Sequence, residues 1–288
     1  MNHILPLLLW TIVATQAAPG RCDDETKPSK GDKLAAQRLK IMREAIDGFR
    51  ITSKEIDADS SLKFSARPLL RYNDQTRNSG SGIKGVLDAT VWRLGESGRP
   101  KAIVTLEIYL VNQGNPLLTY EFVSLTPEKF EMQSLRGVRW MPHDTDLLMT
   151  EFDEAPQPGD SPRARLVQMR ELARRFAVQE MLGAEKIDLR LLSQPLDRYD
   201  DPAAGILDGA LFVFANGTNP EVGLLLECSE KNEKKWSYGL FRLAAAKLLA
   251  QLDGKWILQS TKPPGWPIDA PYTATRHAVA LPEEDEGE

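Results

Sequence analysis

Pro68-Leu69-Leu70-Arg71-Tyr72-Asn73-Asp74 is met again 127 residues further on as Pro195-Leu196-Asp197-Arg198-Tyr199-Asp200-Asp201. The match extends outward from this heptad without a gap. Over 37–74 against 164–201 it keeps 12 of 38 residues, among them Arg38/Arg165, Met42/Met169 and Phe49/Phe176, where composition alone would give about 6%. At an offset of 120 it continues through 85–107 against 205–227, keeping Asp88/Asp208 and Glu107/Glu227. The offset falls because the stretch from Gln75 to Lys84 is long where that from Pro202 to Ala204 is short. Surface loops tolerate such differences.

The expected architecture is therefore a tandem duplication of an α+β unit. Leu39, Met42, Ile46 and Phe49 form an apolar stripe at helical spacing, and Leu166, Met169, Ala173 and Phe176 repeat it. Ser161 suits an N-cap, Pro162 the first helical position and Gly183 the end of the run. Alternating β-type runs follow, from Val86 to Leu94, Ala102 to Val111, Leu117 to Leu125 and Phe130 to Trp140, and again from Leu207 to Leu258. Each unit reads as a helix followed by a four- to five-stranded antiparallel meander, with the helix packed on the sheet. The units span 33–142 and 161–260. An acidic, Pro-containing linker is expected at 143–160, and a Pro-rich acidic disordered tail at 261–288.

The N-terminus reads as a cleaved secretory signal over 1–17, ending near Ala17, with a charged leader over 18–32. That places the protein in an exported compartment, with no membrane span left after cleavage. The net charge of −5 lies in Glu283, Glu284, Asp285, Glu286 and Glu288, so the remainder is balanced and nucleic acid is not an expected partner. Of the two cysteines, Cys228 falls on the apolar face of its strand and reads as a buried, inert thiol rather than a partner for Cys22.

The candidate binding residues are those of the repeated heptad: Arg71, Tyr72 and Asp74, with Arg198, Tyr199 and Asp201. Each Arg can fork onto an anion, or pair with the Asp of its own heptad to close a strand end while the Tyr packs flat. The structural role is favoured, because a group kept in both copies is seldom catalytic. Glu107 and Glu227 lie opposite the apolar face and are expected to be solvated or paired across strands. Histidine is scarce, so no catalytic set, metal site or cofactor is expected. Trp140 and Trp256 read as core, and Trp266 as an exposed docking candidate.

The expected function is an exported non-catalytic binding or scaffolding protein. Its partner would be a protein or a cell-envelope polymer, met through the groove between copies and the loop from Gln75 to Lys84. The alternatives are a carrier of a small apolar ligand beneath a helix and a hydrolase using His143 or the repeated carboxylates.

Overall fold

A computed structural model of the chain describes residues 30–55, 62–74, 83–229 and 234–281. The segment read as a secretory signal, Cys22 and most of the enlarged loop after Asp74 lie outside the described residues. The first half runs α1 (Lys30–Asp47), β1 (Phe49–Ser53), β2 (Leu70–Asp74), β3 (Ile83–Leu94), β4 (Ala102–Val111), β5 (Leu117–Ser124), β6 (Phe130–Ser134) and β7 (Arg139–Trp140). β8 (Thr150–Glu151) precedes α2 (Pro162–Ala173), β9 (Phe176–Leu182), β10 (Glu185–Asp188), β11 (Arg190–Leu191) and β12 (Asp197–Asp201). β13 (Ile206–Asn216), β14 (Asn219–Ser229), β15 (Lys235–Arg242), β16 (Lys247–Leu252), β17 (Lys255–Ser260) and β18 (Tyr272–Ala278) complete the order.

This corrects the expected α+β tandem of helix-on-meander units. Strands take 50% of the described residues and the two helices 13%, so the protein is mostly β. Its strands divide into four small sheets rather than one meander per unit. The cause lies just after each helix. Phe49 and Phe176, counted on helical stripes, instead open β1 and β9, where burial alternates with period two. Gly183, expected to end a helix, turns the hairpin from β9 to β10. β1 then recruits β6 and β7 into a separate sheet, and β9 recruits β16 and β17.

The two larger sheets run β18-β5-β4-β3-β2 and β11-β13-β14-β15-β8, with β12 also paired to β13. All their pairs are antiparallel. Three apolar cores separate the layers. Val104, Leu106 and Ile108 of β4 face Met42 and Ile46 of α1, with Met132 and Trp140 beyond. Leu224, Leu226 and Cys228 of β14 face Met169 and Leu172 of α2, with Phe176 and Val178. The opposite faces of the large sheets meet in the third core, where Ile103, Val91, Leu211, Val213 and Leu225 pack together. The four sheets thus succeed one another face against face, in a propeller-like arrangement. Each large apolar side chain buried this way contributes about 1.5–3 kcal/mol before the ordering cost is set against it.

Two further expectations are corrected. The stretch at 143–160 is not a free linker: Phe152 is buried in the second core, and β8 extends the sheet from β15. The tail from Lys262 is ordered through 281, because no proline falls between Pro271 and Pro282, which leaves Tyr272–Ala278 free to pair with β5. Trp140 donates its indole N–H to the Ala270 carbonyl at 2.9 Å, pinning the segment to the first half. Trp256, expected in a core, is 49% exposed at the edge of its sheet.

Gly223 shows how closely the second large sheet is packed. A Cβ added there would lie 2.1 Å from Cζ of Phe241, its cross-strand partner, which is itself buried. Gly223→Ala is expected to lower stability by about 1–3 kcal/mol in chemical denaturation, and an unchanged midpoint would show that the ring has room to yield.

Candidate functional site

The repeated heptads form β2 and β12, and each places its Arg over a carboxylate on the neighbouring long strand. Arg71 forks onto Asp88 of β3, Nε to Oδ1 at 2.8 Å and Nη2 to Oδ2 at 2.6 Å. Arg38 of α1 donates to the same Asp88 at 3.0 Å, and Arg71 also reaches the Ala35 carbonyl at 2.5 Å. The second half repeats the set. Arg198 forks onto Asp208 at 2.9 and 2.6 Å, Arg165 of α2 adds a bond at 2.8 Å, and Arg198 reaches the Pro162 carbonyl. The hydrogen bonds to Asp88 and Asp208 hold the Arg71 and Arg198 guanidinium groups more firmly protonated than usual. These arginines dock each helix on its sheet, using Asp88 and Asp208 rather than the aspartate of their own heptad. Asp74 is buried at the end of β2, whereas Asp201 accepts from the Ala204 amide at 3.1 Å in the turn after β12.

The tyrosines point the other way, into the layer between the large sheets. Tyr72 donates to Glu107 Oε1 and Tyr199 to Glu227 Oε1, both at 2.7 Å. Both glutamates are 2% exposed, so of the two expectations, solvation or pairing across strands, the first is corrected and the second holds: the face opposite the apolar set is covered by the other large sheet. Here the halves part company. Arg99, from the β3–β4 turn of the first half, crosses over and forks onto Glu227, Nε to Oε1 at 2.7 Å and Nη2 to Oε2 at 2.5 Å. Gly98 makes the crossing feasible: it sits at φ +67°, and a Cβ there would come within 2.6 Å of Asp201 Oδ2. Arg93 joins the same crossing by pairing with Asp197, with its guanidinium 5.9 Å from the Tyr199 ring centroid. On the other side Glu107 receives the Tyr109 hydroxyl at 2.5 Å, and the position matching Arg99 is Asn219.

A cleft of about 490 Å³ opens at that point, lined by Glu107, Tyr109, Glu121, Asn219 and Lys247 among others. It adjoins a second of about 770 Å³ that shares Tyr109, Glu121 and Ala245 and reaches Trp266 and Ile268, each 45% exposed. A third groove of about 350 Å³ brings His143 beside Ser53, Glu55 and Glu131. Its chemistry is committed elsewhere: Ser53 Oγ donates to the Lys129 carbonyl at 2.6 Å and accepts from the Glu55 amide at 3.0 Å, and Arg139 holds Glu131 at 2.7 Å. Among the described residues no group of His, Cys, Asp and Glu is placed to hold a metal ion, and no helix is long and apolar enough to cross a membrane.

No protein family, no curated protein and no solved structure matches this chain. The heptad residues are thus placed by the structure in two groups, with the Arg residues bracing the helices and the Tyr residues holding the central glutamates. Arg99, which caps Glu227, and Asn219, Tyr109 and Glu121, which line the cleft, were not singled out by sequence reasoning. The one available signal was that Arg99 and Asn219 occupy the same position at the offset of 120 yet differ in charge.

Burial first, and then the charge of Glu107 or Glu227, pushes Tyr72 and Tyr199 well above the usual value of 10.0; burial and Glu121 do the same to Tyr272. The folded chain therefore holds these protons more tightly than the unfolded chain. Stability from this source is intact below about pH 10 and falls as pH rises beyond it, where only the unfolded chain ionises. A phenolate absorbance titration of the six tyrosines should leave Tyr72, Tyr199 and Tyr272 un-ionised until the fold opens, with Tyr120, pushed by burial up to about 12, ionising ahead of them; six ionising together in the folded protein would contradict the buried Tyr–Glu pairs.

Proposed function

We propose that the protein is an exported, non-catalytic binding module that receives a partner in the paired clefts beside Glu107, Glu121 and Trp266. The observation that carries the reading is the continuity of those clefts. Together they run from Glu107 and Asn219, where the two large sheets meet, across β5 and β18 to an exposed Trp and Ile, a combination of polar floor and aromatic rim suited to docking. The signal-like N-terminus supports export, and a protein or a cell-envelope polymer remains the partner class. The loop from Gln75 to Gly82 lies outside the described residues and adds nothing to this reading.

The carrier alternative is weakened by what lies beneath the helices. Met42 and Ile46 of α1, with Trp92, fill the first core, and Met169 and Leu172 of α2, with Phe212, fill the second, all at 2% exposure or less. The hydrolase alternative is weakened by the commitments of Ser53 and Glu131.

A photo-crosslinking side chain placed at Trp266, and separately at Val167 on α2, which is 48% exposed and lines none of these clefts, tests the docking reading in the exporting cell. A discrete crosslinked product from position 266 and none from 167 is expected. Equal or absent crosslinking at both positions would contradict it.

A further inference from the structure

The cleft of about 770 Å³ follows the free edge of a strand. β18 ends its sheet, paired to β5 on one side and to no strand on the other. Ser124 donates to the Pro271 carbonyl and Val279 donates to the Pro116 carbonyl, each at 2.8 Å, and the register between these two bonds is unbroken. Antiparallel pairing turns the backbone groups of alternate residues toward and away from the neighbour. Thr273, Thr275 and His277 therefore face β5, while Ala274 and Arg276 offer their N–H and C=O groups to the outside. None of the described residues bonds to those outward groups. Thr273, Ala274, Thr275 and Arg276 all line the cleft. Successive side chains point to opposite faces of a sheet, so a space bordered by four in a row lies along the strand's edge. Val138 of the β6–β7 hairpin, with Trp266 and Ile268, supplies further wall. β8, at the edge of the other large sheet beside β15, is two residues long and offers no comparable run.

We propose that an extended peptide segment of a partner protein adds to the outer edge of β18 as a further strand, with a carboxylate set against Arg276 and apolar side chains against Trp266 and Ile268. This rests on the docking reading above and narrows the partner to a protein that offers such a segment. In strand addition the main-chain bonds supply affinity, and pockets for alternate side chains supply selectivity. The edge is open to it: β18 carries no proline and no bulge, two of the devices that commonly blunt edge strands. Its charge selects the occupant. Arg276 is exposed and pairs with no carboxylate among the described residues, whereas Arg139, the other guanidinium lining the cleft, is held by Glu131 at 2.7 Å. An acidic residue on the added strand meets an unpaired cation, and opposite charges on neighbouring strands stabilise the pairing. A second copy of β18 would instead bring two arginines onto neighbouring strands.

The test titrates the full chain into the fluorescently labelled hexapeptide Val-Thr-Val-Glu-Val-Thr and into the same peptide with lysine in place of glutamate, read by anisotropy. The glutamate peptide is expected to bind at least tenfold more tightly. Ala274→Pro removes an outward amide and leaves the bonds to β5 in place; it is expected to keep the melting temperature and weaken the glutamate peptide at least tenfold. Should that variant fail to fold, Arg276→Glu, which leaves the backbone intact, decides: it is expected to reverse the preference between the two peptides. Equal affinity for both peptides, or no binding of either, would overturn the proposal. So would undiminished binding to a folded Ala274→Pro variant, or an unchanged preference in Arg276→Glu. A crosslinked product from position 266 of twice the chain's mass would assign the edge to a second copy and overturn the proposal too. Crosslinking from position 266 that persists in Ala274→Pro would overturn strand addition and leave the docking reading standing, whereas its absence in the unmodified chain would remove the docking reading itself.

Discussion

Two carboxylates buried between two hydrophobic sheets set the terms for the rest of the molecule. An ionised glutamate cannot be left unsatisfied in such a layer, since removing its hydration costs several kcal/mol. Glu107 and Glu227 sit there because both faces of β4 and β14 are covered, the outer face by a helix and a small sheet and the inner face by the opposing large sheet. Each needs donors brought from elsewhere in the chain. Tyr72 and Tyr199 supply one each from β2 and β12, which explains why those short strands carry an invariant Arg-Tyr pair within the chain. The Tyr faces the central layer and the adjacent Arg, one pleat over, faces the helix.

The second donor differs between the halves, and this difference produces the asymmetry of the molecule. Arg99 comes from the opposite half, so its bond to Glu227 is also a clasp between the large sheets, reinforced by Arg93 on Asp197. Burial works against the charge on Arg99, but the hydrogen bond and charge of Glu227 outweigh it and hold the guanidinium protonated. The Glu107 side is fastened by Tyr109 from its own strand and keeps a cleft in place of a clasp. One end of the central layer is closed by the chain itself, and the other opens into the cleft where we propose that a partner docks.

Much of this was legible in the sequence, but at the level of local pairing rather than architecture. The heptads, the start of α2 and most long strands could be read from spacing, and Ser161 caps α2 as its position implied. The sheet count could not. Phe49 and Phe176 continue a helical period and a strand period equally well for one more step, and only tertiary pairing with β6 and β16 decides between them. The burial of the glutamates was hidden for a related reason: alternation along β4 and β14 reveals two faces, and a polar residue on one of them suits water as well as a partner strand. Nothing local in the chain says that a second sheet covers that face. The C-terminal strand was hidden by neighbouring prolines, whose composition is that of a disordered tail although Tyr272–Ala278 itself alternates and pairs.

The central claim is that Arg99 and Glu227 join the two large sheets as a coupled, buried pair. A double-mutant cycle with Arg99→Met, Glu227→Gln and the double variant, read by equilibrium denaturation, tests it most directly. The account requires a coupling energy above about 1.5 kcal/mol, with each single variant less stable than the double variant would imply by addition. Effects that add within about 0.5 kcal/mol would contradict it, because independent residues could not be the clasp on which the closed end depends.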